Sequence, residues 1–174
     1  MITIGLVGLG RMGGNMAARL LGAGVGVVAH DRSTAAVREA EGRGARGAET
    51  LQALVERVPR PRHIWLMLPA GEPTEGAIEA LASLLSTGDA IVDGGNTHYK
   101  DDVRRARELA TRGLHYVDVG TSGGVWGLDR GYCLMVGGDE ATFARLDPIF
   151  ATLAPGIGAV PRTPDRLAQD GEDP

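Results

Sequence analysis

Short apolar, β-branched runs alternate along this chain with longer stretches whose apolar residues recur at helical spacing. Ile2 to Val7 is the first such run and ends in glycines. Met12, Met16, Ala17 and Leu20 then fall on one helical face, which predicts a helix over Met12 to Leu21. Val25 to Ala29 reads as a second strand, and Ser33 as the N-cap of a helix over Thr34 to Glu41. Further helices are predicted over Glu49 to Arg57, Glu75 to Leu85 and Tyr99 to Arg112, the last strongly charged and read as exposed. His63 to Leu68, stopped by Pro69, then Ala90 to Val92 and His115 to Val119 supply the strands between them. Tyr132 to Val136 is a sixth strand, Glu140 to Leu153 a helix with a bend expected at Pro148, and Gly158 to Val160 a possible edge strand. Strand and helix alternating in this way define an α/β chain, a parallel sheet covered by helices.

Beyond Pro161 the periodicity stops. Pro161-Arg162-Thr163-Pro164 and Asp170-Gly171-Glu172-Asp173-Pro174 are polar and proline-rich, so residues 1–160 are read as one domain and residues 161–174 as a frayed tail or truncated linker. The length of 174 residues suits a single domain with its own core. Charged residues make up 23% and the net charge is −4, which argues against a nucleic-acid partner but not against a small anionic ligand. No basic segment precedes an apolar stretch at the N-terminus, and no apolar run approaches the ~20 residues of a membrane span. Cys133 is the single cysteine. With one cysteine no intrachain disulfide forms, so a reducing, cytoplasmic setting is expected, and its apolar run predicts a buried structural thiol. No metal-ligand cluster is readable.

The first strand-to-helix turn carries the chemistry. Gly8-Leu9-Gly10-Arg11-Met12-Gly13 follows a strand and opens a helix, the context that gives a G-x-G-x-x-G sequence its meaning. Gly8 allows the tight turn, Gly10 lets the backbone approach a pyrophosphate, and Gly13 lets helix and strand pack closely. The helix N-terminus then turns free N–H groups and the positive end of its dipole towards the phosphates. The predicted fold is therefore a Rossmann-type, doubly wound and mostly parallel sheet that binds a dinucleotide. Asp31 comes 18 residues after Gly13, near the usual position of the acid that accepts from both adenosine-ribose hydroxyls. Its charge would repel a 2′-phosphate, which favours NAD over NADP. Arg32 leaves NADP open, because its guanidinium either stacks on adenine, pairs with a 2′-phosphate, or is simply solvated.

Two further clusters follow strands. Asp93-Gly94-Gly95-Asn96 ends the fourth strand, where open α/β sheets bind ligands, and Asn96 brings one donor group and one acceptor there. Thr121-Ser122-Gly123-Gly124 holds the same kind of position after the fifth, with Ser122 and the following amides as donors for an anionic or hydroxylated ligand. Read from spacing alone, each cluster is equally a plain loop.

Taken together these motifs resemble those of 6-phosphogluconate dehydrogenase, the decarboxylating oxidoreductase of the pentose phosphate pathway. Gly8 to Ala17 is similar to its cofactor turn and Asp93-Gly94-Gly95-Asn96-Thr97-His98-Tyr99 to its second motif. Asp118-Val119-Gly120-Thr121-Ser122-Gly123-Gly124-Val125-Trp126-Gly127 is similar to its substrate loop, and Leu134-Met135-Val136-Gly137-Gly138 completes a match that reaches about residue 160. Related β-hydroxyacid dehydrogenases share the first and third motifs but usually differ at the second. The resemblance implies that Gly8 to Gly13, Asp31-Arg32-Ser33 and Leu68-Pro69-Ala70 line the dinucleotide. It further implies that Asn96 touches both nicotinamide and substrate, and that Ser122, Gly123 and Gly124 bind 6-phosphogluconate or a similar sugar acid. The family more often has Asn-Arg-Thr where Asp31-Arg32-Ser33 stands, a departure in the direction of NAD.

A second departure concerns catalysis. The family's lysine base, neighbouring asparagine and glutamate acid lie on helices that follow this domain, and a large all-helical domain also follows, which forms the dimer and completes the substrate pocket. The chain ends at Pro174, and its only lysine, Lys100, matches no such position. No catalytic residue is therefore expected within it. His98 and His115 are conceivable bases, but each reads better as a turn residue and a structural residue. The expectation is a cofactor-binding domain that is inactive by itself and self-associates through apolar surface. The alternatives are a non-catalytic dinucleotide-binding module and a fragment of another β-hydroxyacid dehydrogenase.

Overall fold

The computed structural model describes residues 2–156. The expected edge strand at Gly158 to Val160 and the tail from residue 161 lie outside the described residues. Seven strands form one sheet: β1 (Thr3–Val7), β2 (Gly26–His30), β3 (Arg46–Gly47), β4 (His63–Leu66), β5 (Ala90–Asp93), β6 (His115–Ser122) and β7 (Cys133–Gly137). Their spatial order is β3-β2-β1-β4-β5-β6-β7, with every pairing parallel except β6 with β7. This is the doubly wound Rossmann arrangement, and the chain reverses direction of build between β1 and β4. The two-residue β3 has no apolar run behind it, and sequence periodicity passes over it.

Helices cover both faces because the strands alternate their side chains. On one face Ile4, Leu6, Val27, Ala29, Trp65, Val92, Val117 and Val119 pack against α1 (Arg11–Gly22) and α7 (Glu140–Leu153). On the other, Val7, Val28, Ile64, Leu66, Ile91 and Tyr116 meet α3 (Leu51–Arg57), α4 (Glu72–Leu84) and α5 (Tyr99–Ala110). The α2 helix (Thr34–Gly42) starts where Ser33 predicts, the Ser33 hydroxyl accepting from the Ala36 amide. Thr50 caps α3 in the same way. Trp65 is fully buried and meets Phe150 edge-on at 5.9 Å, a contact worth about 0.5–1.5 kcal/mol beyond its burial. α7 runs from Glu140 to Leu153 with Pro148 inside it.

Two expectations are corrected. Cys133 is exposed. It lies on β7, whose Leu134 and Val136 face the core, so the alternation turns Cys133 and Met135 to the face no described helix covers. The charged α5 helix is not a solvated rod, since Asp102, Arg105 and Leu109 are buried on its inner side. Arg19 of α1 binds three carbonyl oxygens, those of Leu128, Thr152 and Ala154, at 2.9–3.1 Å. It thereby fastens the α7 terminus and the short α6 (Gly127–Arg130) to the first helix. Among the described residues no helix is long and apolar enough to cross a membrane.

Candidate functional site

All the parallel strands end on the same side of the sheet, and a cavity of about 820 Å³ opens there. It lies where strand order reverses, the general ligand position of such sheets. Its floor is the first turn, with Gly8, Gly10, Arg11, Met12 and Gly13. His30 at the end of β2, with Asp31 and Arg32 just past it, closes one end, while Asn96 with Gly94 and Gly95 stands beyond β5. Met67, Leu68 and Pro69 lie between them, with Pro73, Gly76 and Ala77 of α4 forming a wall.

The turn is tight at its first and third glycines and open at its second. Gly8 has φ +93°, a conformation that glycine takes without strain. A Cβ at Gly13 would overlap the carbonyl oxygen of Gly8, so the helix sits on the turn only because that atom is missing. Gly10 differs: a Cβ there would meet no protein atom within 4 Å, so the approach to its backbone is open. No side chain caps the N-terminus of α1, which leaves the first-turn amides available to an anion.

Asp31 is held from two sides. One carboxylate oxygen accepts from the Leu9 amide at 2.6 Å and the other from the Ser33 amide at 2.7 Å. A carboxylate offers about four lone-pair directions, so two remain for a ligand diol. The group that would read the ribose thus also fixes the glycine turn. The amide of Ser33 serves Asp31 and its hydroxyl caps α2, which gives this residue a supporting position rather than a wall position. His30 is a lining residue that sequence reasoning passed over. Its Nδ1 lies 2.9 Å from the Ala48 carbonyl oxygen, which makes Nδ1 the protonated nitrogen.

The Asn96 end is built on buried charge. Asp93 is fully buried at the end of β5. One of its carboxylate oxygens accepts from the Gly95 amide at 2.9 Å, and the other from the Thr97 hydroxyl at 2.9 Å, so both neighbours of Asn96 are tied down. Gly94 presses on Trp65 and Met67, where any side chain would collide. Burial pushes the Tyr116 hydroxyl pKa far up, and the Asp93 carboxylate adds to the effect, so Tyr116 stays a neutral donor to Asp93 at 3.0 Å. Burial also raises the Asp118 carboxyl, with the Asp102 and Asp93 charges reinforcing it against Arg105.

The other predicted residues fall outside the cavity wall. Leu9 is buried and lines a smaller neighbouring cavity of about 210 Å³, while Ala70 is exposed just past the wall. Thr121 reaches the main cavity, but the strand expected to end at Val119 runs on to Ser122, which is exposed at the end of β6, and Gly123 and Gly124 follow it outward, also exposed. His98 is an exposed N-cap whose Nδ1 accepts from the Lys100 amide at 3.3 Å. His115 opens β6 at the opposite end of the sheet, 2.8 Å from Asp139, far from any chemistry at the strand ends.

A doubly wound sheet with a glycine turn, an acid after β2 and a deep cleft at the switch point defines a nucleotide-binding domain of the dehydrogenase class. Comparison with known proteins narrows this further. Residues 3–160 match the model of the NAD binding domain of 6-phosphogluconate dehydrogenase, and the chain belongs to that family. It is 42% identical over 153 residues to the NAD(+)-dependent, decarboxylating 6-phosphogluconate dehydrogenase of Haloferax volcanii, covering 88% of this chain and 50% of that protein. Against the decarboxylating 6-phosphogluconate dehydrogenase of Schizosaccharomyces pombe the identity is 43% over 159 residues, covering 88% and 32%. The chain therefore spans half or less of the length of these relatives. Among solved structures, the 6-phosphogluconate dehydrogenase of Plasmodium falciparum, studied with NADP+ and with 6-phosphogluconate, superposes with a TM-score of 0.84 at 27% identity, covering 91% of this chain and 35% of that one. The 3-hydroxyisobutyrate dehydrogenase of Mycobacterium tuberculosis follows at 0.81 and 28%, covering 88% and 52%.

Proposed function

We propose that this chain is the cofactor-holding part of a 6-phosphogluconate dehydrogenase that uses NAD in the oxidative decarboxylation of 6-phosphogluconate to ribulose 5-phosphate, in the cytoplasm. The observation that carries this reading is that one cavity joins the glycine turn, Asp31 and Asn96. The uncapped first-turn amides of α1 would hold the pyrophosphate. Asp31 accepts from the ribose hydroxyls and repels a 2′-phosphate, with Arg32 beside it on the adenine side. Asn96 reaches the nicotinamide amide and the sugar acid from the β5 side, and Ser122, Gly123 and Gly124 meet the sugar acid from the exposed end of β6. When bound, NAD supplies the hydride acceptor. Among the described residues no group is placed as the base or acid of the reaction, so the chain alone is expected not to turn over 6-phosphogluconate. An exposed thiol at Cys133 suits a reducing compartment. Self-association of the chain through its uncovered apolar surface belongs to the same reading.

Titrating NAD and NADP separately against the purified chain tests the proposal. NAD is expected to bind more tightly. A tighter NADP complex would reverse the assignment of Asp31, and binding of neither would remove the cofactor site altogether.

A further inference from the structure

Among the described residues Arg105 is the one arginine buried as deeply as the apolar core, 2% exposed, and its guanidinium joins two elements that form separate walls of the cavity. Nη1 donates to Asp93 at 3.1 Å, and Asp93 holds the residues on either side of Asn96. Nε and Nη2 donate to Glu75 of α4 at 3.0 and 2.7 Å, one residue before the wall residues Gly76 and Ala77. Asp102 lies 3.3 Å from Nη1, and the Tyr116 hydroxyl bridges Asp93 and Asp102 at 3.0 and 2.8 Å. One rigid, planar fork thus spans from the α4 wall to the Asn96 loop.

Stability alone is a poor reason for such a group. A buried ion pair is commonly replaceable by apolar residues of similar volume at no loss, because desolvation offsets the attraction. An apolar replacement could not hold the Asp93 carboxylate, and through it Gly95 and Thr97, at a fixed distance from α4. Burial works against the charged guanidinium, yet the hydrogen bonds it donates to Glu75 and Tyr116 outweigh it and keep Arg105 ionised.

We propose that Arg105 is a positioning residue that fixes the gap between α4 and the Asn96 loop, and thereby determines how the nicotinamide half of the dinucleotide is held. The proposal rests on the cofactor reading above. It predicts a split between NAD and ADP-ribose, which shares everything with NAD except the nicotinamide. The wild-type chain binds NAD more tightly than ADP-ribose. Arg105→Met weakens NAD by about tenfold, equivalent to one lost hydrogen bond to the ring amide, and leaves ADP-ribose within about twofold. Arg105→Lys keeps the charge without the fork and recovers part of the loss. Thr97→Val and Tyr116→Phe each remove one donor to Asp93 without stranding a charge, so they carry the test if Arg105→Met fails to fold by circular dichroism. They weaken NAD alone, by a smaller factor. Parallel loss of both ligands, or unchanged NAD affinity in the folded variants, overturns the proposal. Equal wild-type affinity for NAD and ADP-ribose removes the nicotinamide contact of Asn96 and the proposal with it. A wild-type chain that binds neither ligand defeats the cofactor reading itself.

Discussion

At Gly13 a methyl group would overlap the Gly8 carbonyl oxygen, whereas at Gly10 it would meet no protein atom within 4 Å. Two alanine substitutions three residues apart are therefore expected to fail differently. Gly13→Ala forces the helix off the turn and lowers stability by about 1–3 kcal/mol, as overpacking of a tight contact does. Gly10 has φ −59°, which alanine tolerates, and the change costs about 1 kcal/mol or less as the loss of a preferred N-cap residue. Its added methyl sits where the pyrophosphate approaches, so NAD affinity falls although the fold is kept. Thermal melts and NAD titrations of the two variants side by side check this. Full NAD affinity in Gly10→Ala would mean that the phosphates lie elsewhere. The glycine spacing was readable in the sequence because each residue answers a local constraint. The double hold on Asp31 was not, since the Leu9 amide is brought to it only by the pairing of β1 with β2.

Among the elements, α7 shows how a helix terminus becomes pH-dependent. Asp139 is its N-cap, accepting from the Thr142 amide at 3.0 Å, and His115 adds a hydrogen bond at 2.8 Å. The Thr142 hydrogen bond, against partial burial and with help from His115, holds the Asp139 carboxyl below its ordinary pKa. A depressed carboxylate stabilises the fold fully above its unfolded pKa, and that contribution is lost as pH falls through the lower folded value. Asp139→Ala should therefore cost about 1 kcal/mol near neutrality, and the difference from wild type should shrink in acid. Melting temperatures of both proteins across the acidic range measure it, and a difference independent of pH would assign the cap to the polar contact alone. Elements of this kind were legible from sequence where a cap residue precedes a periodic run, as at Ser33. Where burial depends on what packs above, sequence failed. The alternating charges of α5 read as solvated because the partners of Arg105 stand on β5, on α4 and on β6 as well as on its own helix.

At the scale of the whole molecule, the sheet is covered unevenly. The strands β1, β2, β4 and β5 bury both faces under helices, whereas β7 buries Leu134 and Val136 and leaves Cys133 and Met135 in solvent. Sequence patterning placed the strand correctly but could not tell a covered face from an open one, because an apolar run looks the same in both. Met135 is 66% exposed and packs its methyl beside Gly120, which itself lines the cavity. An exposed methionine on an open sheet face favours association, since each buried CH₂ gains about 0.8 kcal/mol. A second copy of the chain, offering the same face, is the occupant that this reading selects, and a twofold pairing closes the contact on itself. Sedimentation of the 174-residue chain should show a dimer growing with concentration, and Met135→Lys should return it to monomer by placing a charge in the contact. Because Met135 abuts a cavity residue, the same dimerisation should alter NAD affinity as protein concentration rises, and the lysine variant should lose that dependence. A wild-type chain that stays monomeric at high concentration would leave the open face of β7 without this role.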